Sequence, residues 1–115
     1  MIIAIPVTDG GLVGHSWGKA QQVAVADADV DGLHSWTVHQ VGWDVSHDEG
    51  THGAHHARVV TFLREHHVAA VVVDHVGEGM TRMLQTMKVA LVTGARGDAQ
   101  AAVLDVAQDP AQRLG

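Results

Sequence analysis

Ten histidines and no cysteine give this chain of 115 residues an unusual set of donors. A neutral imidazole offers a lone pair that suits zinc, copper, nickel or iron. Without a thiol, disulfides and protein-thiolate ligation are excluded. The histidines are scattered along the chain rather than run together, so they do not read as an expression tag. Three imidazoles around one open position make a plausible metal centre. The candidates are His15, in the loop after the first apolar run, His75, just after another, and His52, His55 and His56 at the start of a helical stretch.

Other residues near these offer complementary chemistry. The turn Gly77-Glu78-Gly79, ahead of a helix, presents backbone N–H groups suited to an anionic part of a ligand. Glu78 is a candidate to orient an imidazole through a hydrogen bond to its second nitrogen. A dinucleotide fingerprint would need a third glycine where position 82 is Arg. Trp17 and Gly18 could wall a ligand site beside His15, although an aromatic lid and a hydrophobic plug look alike in sequence. Met80, Met83 and Met87 have helical spacing and read as core. His34, His39 and His47 read as surface residues of a strand and a loop. His66 and His67 fall at the far end of the helix, away from the other candidates.

The elements that must position these groups follow from periodicity and turn residues. Ile2–Val7 is an apolar, β-branched run and reads as a buried strand. A second strand covers Gln22–Ala26, and a third, near Leu33–Val41, forms a hairpin with it through Asp29-Val30-Asp31-Gly32. Residues 42–53 read as loop. A helix over about 54–67 buries Val59, Val60, Phe62 and Leu63. At 100° per residue, His52 falls near the centre of that stripe, and His55 and His56 straddle it. Val68–Asp74 is a fourth strand, a short helix runs through Met80 and Met87, and Val89–Thr93 is a fifth strand. Asp98 is the expected N-cap of a last helix ending near Ala107.

The order β-β-β-α-β-α-β-α, with tight hairpins first and helical crossovers later, predicts a mixed sheet. The first three strands are then antiparallel to their neighbours, and strands one, four and five are parallel. In that arrangement the loop after strand one, the end of strand four and the start of the long helix share one sheet edge. Open α/β sheets bind ligands at such edges.

The runs Ile2-Ile3-Ala4-Ile5-Pro6-Val7 and His15-Ser16-Trp17-Gly18-Lys19-Ala20, then Val72-Val73-Asp74-His75-Val76-Gly77-Glu78-Gly79-Met80 and Val89-Ala90-Leu91-Val92-Thr93-Gly94-Ala95-Arg96-Gly97, carry a resemblance. Together the chain resembles the dinitrogenase iron–molybdenum cofactor biosynthesis family (the NifX, NafY and NifB C-terminal-domain group), from residue 2 to about 107. The family's usual His-Phe-Gly stands here as His15-Ser16-Trp17-Gly18, with an inserted polar residue and a Trp. The resemblance implies a ribonuclease-H-like three-layer domain with a mixed five-stranded sheet of order 3-2-1-4-5, strand 2 antiparallel. It also implies a non-catalytic binding or carrier role toward a metal or metallocofactor, and a donor or acceptor protein as partner. The cargo expected is a transition metal (zinc, nickel, iron or copper) or an iron–molybdenum or iron–sulfur-type cluster bound without cysteine.

Composition bounds the alternatives. The length suits one domain, taken as residues 1–109 with a short tail at 110–115. A net charge of −6 disfavours a nucleic-acid backbone, while protonation of all ten histidines would carry it to +4. The longest apolar run, Val68–Val73, is too short for a bilayer, and no leader precedes Met1, so a cytoplasmic location is expected. A nuclease of this architecture would need carboxylates meeting on the sheet, and Ile2–Val7 has none, leaving only Asp9 and Asp74 nearby. Ser16 beside His15 is no nucleophile elbow. The remaining alternative is a small-anion or nucleotide-binding regulatory domain using Gly77-Glu78-Gly79 and Gly94-Ala95-Arg96-Gly97.

Overall fold

The computed structural model describes residues 1–46 and 51–109, with His52 described by its backbone. Its elements, in chain order, are β1 (Ile2–Val7), β2 (Gln22–Asp29), β3 (Gly32–Gln40), α1 (Trp43–Ser46), α2 (His52–Glu65), β4 (Ala70–Val72), α3 (Glu78–Thr86), β5 (Ala90–Val92) and α4 (Ala99–Gln108). The strands form one sheet in the order β3-β2-β1-β4-β5. β2 is antiparallel to β1 and β3, and β4 is parallel to β1 and β5.

β1 is apolar on both faces because both are covered. Ala4 joins Val23, Val71 and Val73 beneath Val59 and Leu63 of α2 and Met80 and Leu84 of α3. Ile3, Ile5 and Val7 join Ala24, Ala26, Ala70 and Val72 on the opposite face, beneath Ala99, Val103, Val106 and Ala107 of α4. Period-2 alternation thus sorts β1 between two cores rather than between core and water. β3 lies at the sheet edge and is correspondingly more exposed.

Local chemistry sets the helix ends. Thr51 caps α2, its Oγ1 accepting from the Ala54 N–H at 3.1 Å, and Asp98 caps α4, accepting from the Ala101 N–H at 2.9 Å. α2 ends with His67 in the left-handed region (φ 55°), its N–H donating to the Arg64 carbonyl while the Val68 N–H donates to Leu63. α3 ends the same way, with Lys88 at φ 59°, its N–H on the Gln85 carbonyl and the Val89 N–H on Leu84. Both are Schellman closures built without the usual glycine.

Several boundaries differ from the sequence reading. Residues 42–53 are not all loop: Trp43 starts α1, and α2 begins at His52, two residues early, because Thr51 supplies the cap. β4 and β5 are only Ala70–Val72 and Ala90–Val92, although the Ala69 and Val73 N–H groups still donate to the Ile2 and Val92 carbonyls of neighbouring strands. β1 and β2 are joined by a long loop at 8–21 rather than a tight hairpin, and bridges at Val7–Val13 and Leu12–Asp98 tie that loop down. The tail at 110–115, His47 and the His52 side chain lie outside the described residues.

Candidate functional site

The loop after β1 is anchored from within. The Gly14 N–H donates to the Pro6 carbonyl at 2.7 Å, and a Cβ at Gly14 would sit 3.1 Å from Pro6 backbone and side-chain carbons, so the turn favours glycine. Trp17 is 1% exposed and meets Trp43 edge-on at 5.1 Å between ring centres. With Trp17 sunk as a plug, His15 stays exposed and Gly18 half-buried at the surface. A Cβ on Gly18 would lie 3.7 Å from His55 Nε2 and 3.9 Å from Met80 Cε, so this loop rests on the starts of both α2 and α3.

The first turn of α2 supplies two imidazoles. His55, 3% exposed, is the one buried polar or charged side chain among the described residues. Its ring lies 6.5 Å from Trp43, edge-on, and 6.1 Å from His56. His56 faces the start of α3, where a Cβ on Gly79 would lie 3.4 Å from its Cε1.

The turn after β4 supplies His75. It is braced by the turn after β5: the Gly94 N–H donates to the Asp74 carbonyl at 2.8 Å, and Arg96 Nε donates to Asp74 Oδ1 at 3.3 Å. The His75 ring meets that of His15 edge-on at 5.5 Å, bringing together imidazoles 60 positions apart in sequence. Gly77 caps α3 with no side-chain hydrogen bond, leaving the first N–H groups of the helix open to a ligand or to water.

A cavity of about 320 Å³ lies where these parts meet, lined by residues 16–19, His55, His56, His75, Val76, Gly77, Gly79 and Met80. His15 lines a neighbouring hollow and joins the site through His75. No carboxylate is among the lining residues. Glu78 is exposed and faces Arg82 at 3.7 Å, in place of the expected role of orienting an imidazole. Trp17 Nε1 is buried and finds no hydrogen-bond partner among the described residues. Also among the described residues, no three of His, Cys, Asp and Glu close into a single-ion site. Among the described residues the ring of His15 meets that of His75, and the ring of His55 meets that of His56.

Sequence reasoning passed over two features. Lys19 lines the cavity, a cation within the same loop motif that carries His15. His39, expected at the surface, is half-buried, with its ring 5.6 Å from Phe62 and 4.4 Å from His66. Its strand position puts it opposite Val23, on the face covered by α2.

A five-stranded α/β domain with a histidine-lined cavity at the sheet edge has the form of a ligand-binding module. The sequence matches the dinitrogenase iron-molybdenum cofactor family over residues 1–109, and the chain belongs to that family. Its class is therefore that of proteins with a role in the biosynthesis or binding of the iron–molybdenum cofactor. Among solved structures it is similar to the one titled "Crystal structure of PH0822", with 19% identity, 90% of this chain and 86% of that chain covered, and a TM-score of 0.70. That likeness is one of fold. No curated protein matches the sequence.

Proposed function

We propose that this domain is a non-catalytic carrier that holds a metallocofactor, or a precursor of one, in the cavity at the ends of β1 and β4. The observation that carries this reading is the convergence of His55 and His56 of α2 with His75 of the turn after β4 around space far larger than one ion needs, with His15 against His75 at 5.5 Å from the neighbouring hollow. A volume of about 320 Å³, against roughly 10–15 Å³ needed to admit one water, suits a polyatomic group. The donors fit such a group: nitrogen ligands of borderline softness, with no thiolate and no lining carboxylate.

In this reading His15 and His75 bind from the rim, and His55 and His56, with His52 as a further candidate, bind from the first turn of α2. Trp17 and Gly18 form the wall, and the open N–H groups at Gly77–Gly79 with Lys19 meet the anionic part of the cargo. Glu78 is left facing solvent beside Arg82. The group itself would supply the redox and ligand chemistry; the protein binds, shields and releases it. The cytoplasm as its place and a cofactor donor or acceptor protein as its partner belong to the same proposal.

The test is elemental analysis of untagged protein purified without oxygen, followed by titration with nickel and zinc. Tight metal binding that disappears in a His15→Ala/His75→Ala variant supports the carrier. Indifference to metal, with thermal stabilisation by inorganic phosphate or a nucleotide, would instead favour a small-anion or nucleotide-binding regulator, the reading suggested by the uncapped start of α3. Protons compete with metal for imidazole, so affinity is expected to fall as pH drops below about 6. Affinity that stays level from pH 8 to pH 5 argues against histidine ligation.

A further inference from the structure

The end of α2 opposite the cavity carries another pair of imidazoles. His39 comes from the end of β3, and His66 is the C-cap residue of α2. Their ring centres are 4.4 Å apart with the planes at 49°. Phe62 backs both rings, at 4.5 Å from His66 and 5.6 Å from His39. Both histidines are half-buried, which leaves one side open to solvent.

The spacing admits one ion shared by both rings. A ring flip exchanges nitrogen for carbon without moving the ring centre, so the centre-to-centre distance is the firm quantity. With metal–nitrogen bonds of about 2.0–2.1 Å, a bound ion lies roughly 3.2 Å from each ring centre. Two imidazoles at 90° around one ion then have centres about 4.5 Å apart, and at a tetrahedral angle about 5.2 Å. The observed 4.4 Å is the spacing of two cis ligands, at neighbouring corners of a square or of an octahedron, once a nitrogen of each ring faces the ion. Among the ions that offer such positions copper(II) leads the affinity order.

We propose that His39 and His66 form a second transition-metal site, separate from the cavity, that takes a divalent ion at two cis positions, copper(II) most tightly, with water completing the coordination. One feature prepares it. Phe62 fixes one wall, so less ring freedom is lost on binding.

The experiment is titration of copper(II) into the whole protein carrying His15→Ala, His52→Ala, His56→Ala and His75→Ala, which leaves the cavity only His55, read by electron paramagnetic resonance. One equivalent is expected to bind with hyperfine coupling to two imidazole nitrogens. Adding His39→Phe or His66→Phe should weaken that binding at least tenfold and abolish the two-nitrogen pattern. Circular dichroism checks that each variant is folded; should His39→Phe fail to fold, His66→Gln serves in its place. Copper binding unchanged by these substitutions would overturn the site and leave the pair as aromatic packing. That outcome is independent of whether the cavity holds a metallocofactor.

Discussion

His39 illustrates how a single residue changes meaning once its neighbours are known. It sits on an edge strand, yet its ring is packed against Phe62 and His66 rather than displayed to water. Burial, and then the charge of a protonated His66, hold its folded pKa below the ordinary value of 6.5. The unfolded chain therefore takes up the proton first. The stability tied to neutral His39 is complete above about pH 6.5 and is lost as pH falls from there through the lowered folded value. Urea midpoints measured between pH 8 and pH 5 should decline, and His39→Phe should flatten that decline. Asp29 works in a lower window: the hydrogen bond from His34 at 2.8 Å and one from the Asp31 N–H lower its pKa below 3.8. Its contribution is present above about pH 4 and lost as pH falls through the folded value. At Gly18, alanine should be tolerated, since its Cβ meets His55 and Met80 at ordinary contact distance. A bulkier Gly18→Val is expected to leave the fold intact and reduce cargo binding, which thermal melts and metal titration would separate.

At the scale of elements, helix termini decide where the chemistry sits. Thr51 starts α2 two residues ahead of the periodic pattern, and the turn it starts carries His55 and His56. Thr51→Ala should cost about 1 kcal/mol and, unlike the equivalent Asp98→Ala in α4, should also weaken ligand binding. Chemical denaturation beside a binding assay distinguishes the two. The left-handed closures make the opposite prediction. His67 and Lys88 adopt φ values of 55° and 59° that favour glycine. Lys88→Gly should therefore raise stability by up to about 1 kcal/mol, with no change at the distant cavity. An unchanged or lowered denaturation midpoint would contradict that account.

At the scale of the molecule, a sheet covered on both faces holds four loop or helix ends at one rim. Leu63, 1% exposed, packs α2 on the sheet, and Leu63→Ala should cost about 2–5 kcal/mol. A ligand present at 100 times its dissociation constant would restore about 2.7 kcal/mol of such a loss. Differential scanning calorimetry with and without the bound metal would read both effects.

Much of this architecture was legible without coordinates. The apolar run at 2–7, the turn residues at 29–32 and the later alternation of helix and strand define the elements and a mixed sheet, because sheet connections obey few rules, and the family resemblance implied its order. Those strand directions already bring His15, His75 and the start of α2 to a common edge. Backbone periodicity cannot say where side chains end up at that edge. Only the packed structure paired His15 with His75, sent Glu78 out to Arg82, and kept any three ligands of the described residues from closing on one ion. It also turned His39 inward onto Phe62. Local sequence sets φ, ψ and the alternation of faces, whereas rotamers and ring contacts depend on residues tens of positions away, and those distances exist only after folding.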